Sequence, residues 1–323
     1  LDAARRRRAD RALIAPVEGG VTLWMKGHDM TTPLTLPGFA YRRIAVADDV
    51  ELSVAVAGAG PAVVLLHGFP QTHLMWRHVA ADLGKDHTVI VPDLRGYGAS
   101  DKPREIDEDT YSKRTMAADV VAAARALGHE RFALAGHDRG ALVAVRAGLD
   151  HPRSVSHLLA LDVLPTLDMW EILRGVDASV ALHLYLMAQP AGVPEPMIEA
   201  TADAFFSSFI DGWVSRPEAI PSEYRAEYVR AAAAAVWSIV ADYRASAGVD
   251  VRHDRADRAA GVTLAMPVSV IQQDWGARLG YDGAALWSAW APDLDHRLLD
   301  AGHFLAEETP DAVVAALRDL MRR

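Results

Sequence analysis

The tightest constraint on this chain is a five-residue turn, Gly136-His137-Asp138-Arg139-Gly140, set between an apolar run at 132–135 and a helical pattern at 139–150. A strand that feeds straight into a helix reverses its backbone within one or two residues, and the residue at the apex is strained. Small residues are needed on both sides, and Gly136 and Gly140 supply them around position 138. The apex residue is an aspartate, already ionised near neutral pH, so it needs no base to become a nucleophile. It displaces a leaving group from an sp³ carbon, becomes an ester, and only then needs a base, to activate water. The plainer reading is an aspartate N-cap with glycines for packing. Strand, turn and helix in that order favour the nucleophile.

The rest of the chain repeats the same unit. Runs at Ala62–Leu66, 88–91, 132–135, Val155–Leu161 and 268–271 are apolar on both faces, as strands of a parallel sheet sandwiched by helices are. Helical stretches lie at 75–83, 113–127, 139–150 and 310–321. An alternating hairpin at 41–46 and 51–58 precedes them, turning at Asp48-Asp49, and the last strand with its loop is expected at 297–304. Between 165 and 262 the alternation stops. That stretch is helix-prone, holds Trp170, Trp213 and Trp237, and reads as a helical cap inserted over the sheet. The expected class is α/β: a mostly parallel sheet flanked by helices at 37–164 and 263–323, with the cap at 165–262.

Composition narrows the partners. With 323 residues, 51% of them hydrophobic, the chain can bury a large core. A net charge of −10 argues against nucleic acid; the basic cluster Arg5-Arg6-Arg7-Arg8, with Arg11 nearby, reads as a solvated start. The first 29 residues lack apolar periodicity and Met30-Thr31-Thr32-Pro33 reads as an ordinary bacterial start, so residues 1–36 are expected to be an extension outside the fold. The lack of cysteine excludes disulfides, thiolate metal sites and a Cys nucleophile, and suits the cytoplasm. No apolar run reaches membrane-spanning or signal-peptide length. The expected partners are a small-molecule substrate and water, without nucleic acid, membrane, metal or organic cofactor; a homodimer is the one assembly left open.

Two further segments complete a catalytic set. His67-Gly68-Phe69-Pro70 follows the strand at Ala62–Leu66, so the backbone N–H groups of Phe69 and Arg139 are candidates to converge on an ester oxyanion. Ala301-Gly302-His303-Phe304 follows the last strand and makes His303 the candidate base, in the chain order nucleophile, acid, histidine. The acid that orients His303 has two candidates. Asp162 ends one strand and Asp274 follows another, and periodicity does not choose between them.

These segments resemble the haloacetate (fluoroacetate) dehalogenases, close relatives of the soluble epoxide hydrolases in the α/β-hydrolase superfamily. The likeness runs from about residue 37 to 320. It is carried by His67-Gly68-Phe69-Pro70-Gln71-Thr72-His73-Leu74-Met75-Trp76, by Pro92-Asp93-Leu94-Arg95-Gly96-Tyr97-Gly98, by the turn at Asp138, by Leu161-Asp162-Val163-Leu164-Pro165-Thr166 and by Gly302-His303-Phe304. The resemblance implies the α/β-hydrolase fold and selects Asp162 as the acid. It implies that Arg139 grips a substrate carboxylate, while the position of the family's second arginine holds Leu142. For the halide pocket it implies His183, with Leu184 where the family has tryptophan, together with Tyr243 and Trp213. The expected activity is removal of halide from a short haloacid such as haloacetate through a covalent aspartyl ester. The alternative is epoxide hydrolysis to a diol, with His183 and Tyr243 as ring-opening donors.

Overall fold

A computed structural model describes residues 34–104 and 107–323, so the basic cluster and the expected start at Met30 lie outside the described residues. The hairpin pairs β1 (Ala40–Ala47) with β2 (Val50–Ala57) in antiparallel register, Ala40 opposite Val56. Its turn puts Asp49 at φ 58, a left-handed conformation that a short polar side chain tolerates better than most. β2 then pairs antiparallel with β4 (Thr88–Pro92). From there every pairing is parallel through β3 (Ala62–Leu66), β5 (Phe132–His137), β6 (Val155–Leu161), β7 (Val268–Gln272) and β8 (Leu294–Leu298), in the order β1-β2-β4-β3-β5-β6-β7-β8.

The central strands lie wholly in the core: Leu65, Leu66, Leu134, Leu158 and Val270 are all fully buried. Their backbone hydrogen bonds are met within the sheet, and both faces are covered by α1 (Arg77–Leu83), α2 (Lys113–Ala126), α3 (Arg139–Asp150) and helices near the C-terminus. The helix expected from residue 75 begins later, because His73–Trp76 forms a 3₁₀ turn first.

One strand departs from expectation. The last strand is Leu294–Leu298, not a strand starting at 297, and residues 299–304 form a loop. β8 is the sheet edge and its residues Asp295, His296 and Arg297 are half-buried or exposed. An edge strand carries no two-faced apolar run, so its start at Leu294 leaves little mark in the sequence pattern.

Between β6 and β7 the chain is helical. It runs through α4 (Thr166–Ile172), α5 (Leu182–Met187), α6 (Pro194–Glu199), α7 (Ala202–Trp213), α8 (Ser222–Ala233), α9 (Val236–Ala245) and α10 (Val251–Ala260). Then come α11 (Trp275–Leu279) and α12 (Gly283–Ser288) around β8, and α13 (Leu305–Glu308) and α14 (Pro310–Leu320) close the chain. Among the described residues, no helix is long and apolar enough to cross a membrane.

Candidate active site

Asp138 occupies the apex between β5 and α3 at φ 49, ψ −118, a region costing about 1–3 kcal/mol for a residue with a Cβ. The two glycines make the turn possible. A Cβ on Gly136 would strike the backbone of Gly140 and Ala141, and one on Gly140 would strike the carbonyls of Leu66 and His67 at the end of β3. Gly68 serves the same approach from the other side, since a Cβ there would sit 2.6 Å from the Cβ of Asp138. That closeness lets the Phe69 N–H donate to Asp138 Oδ1 at 2.8 Å. Arg139 begins α3, where first-turn N–H groups have no partner inside the helix.

His303 faces the same carboxylate. Its Nε2 lies 4.0 Å from Asp138 Oδ2, and its Nδ1–H donates to Asp162 Oδ2 at 2.7 Å. Asp162 is another positive-φ residue, at φ 48, just past the end of β6. Its carboxylate also accepts from the Gln273 backbone N–H at 3.0 Å and from Gln273 Nε2 at 2.7 Å. Asp274 does something else: its Oδ1 accepts from the Ala277 N–H at 2.9 Å and caps α11. Burial disfavours a charged His303, but the hydrogen bond and charge of Asp162, with the charges of Asp138 and Glu308, outweigh it and raise its pKa above 6.5.

The backbone around His303 is held by Trp213, by His137 and by Glu308, of which sequence reasoning missed Glu308. The His303 N–H donates to the Trp213 carbonyl at 2.9 Å, and His137 Nε2–H donates to the His303 carbonyl at 2.8 Å. Glu308 accepts from the flanking N–H groups of Gly302 (3.2 Å) and Phe304 (3.1 Å). The same carboxylate accepts from the N–H groups of Ser215 (2.9 Å) and Arg216 (3.0 Å), just past the end of α7. One buried side chain thus fastens the histidine loop to the helices inserted between β6 and β7. No local pattern signals this, because its partners at Ser215 are 93 positions away.

Asp138, Arg139, Asp162, His183, Trp213 and His303 line one cavity of about 110 Å³, and so do Leu142 and Leu184. Tyr243 is not among its lining residues. It lies behind them, fully buried, its ring 4.1 Å from the Arg139 guanidinium carbon and its hydroxyl without a hydrogen-bond partner. Burial, and next the charge of Asp138, raise its pKa well above 10, so it stays a donor. Burial likewise lowers His183 to about 3 and keeps it neutral.

Arg139 is mostly engaged by the protein itself. Its Nε and Nη2 donate to Asp242 Oδ2 and Oδ1 at 2.9 and 2.7 Å, and Nη2 also reaches the Asp242 carbonyl at 2.9 Å. Its Nη1 is buried and has no partner.

An α/β-hydrolase fold family model matches residues 61–310. The chain belongs to that family. A fluoroacetate dehalogenase from Burkholderia sp. is 37% identical over 288 residues, 87% of this chain and 93% of that protein. A soluble epoxide hydrolase from Corynebacterium sp. (strain C12) is 31% identical over 284 residues, 84% of this chain and 93% of the relative. Among solved structures, a candidate epoxide hydrolase from Pseudomonas aeruginosa superposes on this α/β hydrolase with a TM-score of 0.83 at 39% identity, covering 90% of this chain and 98% of that one.

Proposed function

We propose that this chain hydrolyses the carbon–halogen bond of a short 2-haloacid through an ester on Asp138. The observation that carries the reading is Arg139: it lines the cavity beside Asp138, and one nitrogen of its buried guanidinium, Nη1, has no hydrogen-bond partner. Leaving such a donor unsatisfied is costly, and a substrate carboxylate would satisfy it. Asp242 fixes the other face of the guanidinium, which orients the free nitrogen.

The steps follow from the geometry. Asp138 attacks the carbon bearing the halogen, the carbon–halogen bond breaks, and halide leaves with the bonding pair. His303 Nε2, 4.0 Å from Asp138 Oδ2, has room for a water between the two, takes its proton and directs its oxygen to the ester carbonyl. The Phe69 N–H, already 2.8 Å from Asp138 Oδ1, receives the oxyanion, with the Arg139 N–H as its partner donor. Collapse releases the 2-hydroxyacid, its oxygen taking the proton back from His303. Ester formation also removes the Asp138 charge that helps raise His303, so the imidazole becomes easier to keep neutral when it must act as a base.

In this mechanism Asp162 orients His303 and Asp274 is a helix cap. Asp162→Asn is expected to lower turnover by about 10³–10⁴-fold, whereas Asp274→Asn should stay within about fivefold of wild type at saturating substrate, since a cap is worth roughly 1 kcal/mol of stability. A larger loss at Asp274 would reverse the assignment.

The leaving group sets a second expectation. Fluoride departs only with strong help from donors that tighten as charge develops on it. Leu184 offers no indole N–H, so one donor fewer faces the cavity on the side of His183. One missing hydrogen bond to a charged group is worth about 1.5–3 kcal/mol, or about ten- to over a hundredfold in rate. Chloride and bromide release from the haloacetates should therefore exceed fluoride release by at least that margin, and Leu184→Trp should narrow it. Equal release of fluoride and chloride by the wild-type protein contradicts this.

A second reading has its own support. The unpartnered Tyr243 hydroxyl and neutral His183 also suit an epoxide oxygen becoming an alkoxide, with Asp138 again the nucleophile. Diol formation from styrene oxide, with no halide released from any haloacetate, would decide for it.

A further inference from the structure

We propose that the preferred acid is a 2-haloalkanoate carrying an apolar side chain of several carbons, rather than haloacetate itself. The inference rests on the dehalogenase reading above and adds the substrate's shape to it. The charged and strongly polar side chains lining the cavity are Asp138, Arg139, Asp162, His183, Gln272 and His303, joined by the Tyr281 hydroxyl and two indole rings. Asp162 is spent on His303 and Gln273, and Gln272 donates to the Val163 carbonyl at 2.8 Å while its Oε1 meets His296 Nε2 at 2.8 Å. What remains free for a ligand is concentrated around the nucleophile. Most of the rest of the wall is aliphatic.

That wall comes from separate elements. Leu142, in the first turn of α3, lines the same cavity as Asp138. Met169 from α4, Leu184 from α5 and Leu279 from α11 line the same space, with Leu173 between α4 and α5. In haloacetate every heavy atom is reacting, leaving or charged, so no part of it is suited to this wall. Facing such a substrate, the cavity-side surfaces of these side chains would meet only water and forgo dispersion contacts there. An alkyl group on the carbon bearing the halogen covers them. Each methylene moved from water to such a surface is worth about fourfold in binding.

The test compares bromide release from 2-bromopropionate and 2-bromohexanoate, which share leaving group, carboxylate and secondary reacting carbon, with bromoacetate alongside. We expect kcat/KM for 2-bromohexanoate to exceed that for 2-bromopropionate by about ten- to sixtyfold, the upper value being three methylenes fully buried. Leu184→Thr should shrink that ratio while leaving 2-bromopropionate turnover measurable, which reports that the variant is folded. Bromide release from bromoacetate or 2-bromopropionate that matches or exceeds the hexanoate rate overturns the inference and leaves the dehalogenase reading intact. No bromide from any of the three acids overturns both.

Discussion

His303→Gln protein mixed with chloroacetate is expected to release about one chloride per chain and then stop, with a carboxymethyl ester left on Asp138. In the proposed mechanism the first half of the reaction uses the Asp138 carboxylate, held by the Phe69 N–H at 2.8 Å, and asks nothing of His303. The second half does, because an ester with no base beside it meets only unactivated water. Glutamine keeps a polar group of similar reach but accepts no proton from water. Steady turnover should fall by about 10³–10⁴-fold, as when a triad histidine loses its function. Mass analysis of the Asp138 peptide and a single-turnover chloride assay check both halves. Continuous chloride release without an adduct would place the nucleophile elsewhere, or make water the direct attacker. The trapped ester also separates this mechanism from simple loss of folding, because an unfolded variant forms no adduct.

The features legible in the sequence were those that repeat at short range. Strands such as Ala62–Leu66 and Val155–Leu161 appear with the expected bounds, because a strand buried on both faces leaves an uninterrupted apolar run. The turn at Asp138 was legible because two glycines sit at a fixed distance from an apex residue, and each meets backbone that leaves no room for a Cβ. The β8 edge was placed late for the opposite reason, since its face towards water dilutes the pattern. What the sequence hid is the layer behind the reacting groups. Asp242 meets Arg139 across 103 positions, Gln273 meets Asp162 across 111, and Glu308 meets Ser215 across 93. No periodicity links such pairs. An isolated Asp, Gln or Glu in a helix or loop looks the same whether it faces water or a buried donor. Read alone, Arg139 had a whole guanidinium to offer a substrate; in the structure most of it is pledged to Asp242.

That pledge makes Asp242→Ala the most destabilising substitution we expect near the cavity. The Asp242 carboxylate accepts from Arg139 Nε and Nη2, from the Tyr97 hydroxyl at 2.6 Å and from Lys113 Nζ, and all four side chains are buried. Burial alone would raise its pKa, but Arg139 and Lys113 hold it well below the usual carboxylate range. Alanine leaves the Arg139 guanidinium, only 1% exposed, without its ion-pair partner and leaves the buried Lys113 with only Asp250 as a counter-charge. Breaking a buried pair in this way costs about 3–5 kcal/mol. At roughly 2–4 °C per kcal/mol for a chain of this size, Tm should fall by on the order of 6–20 °C. The pH dependence has a definite sign. A depressed carboxylate pKa contributes stability that is present above the unfolded-state value near 4 and is lost as pH falls through the folded-state value. The gap between wild type and Asp242→Ala should therefore be flat from about pH 5 to 7 and close on the acid side. Denaturant melts at several pH values measure it. A Tm within about 2 °C of wild type at pH 7, which corresponds to at most about 1 kcal/mol, would mean that Arg139 and Lys113 find other partners. In that case the free Nη1, and the carboxylate it is proposed to hold, would no longer depend on Asp242 for their placement.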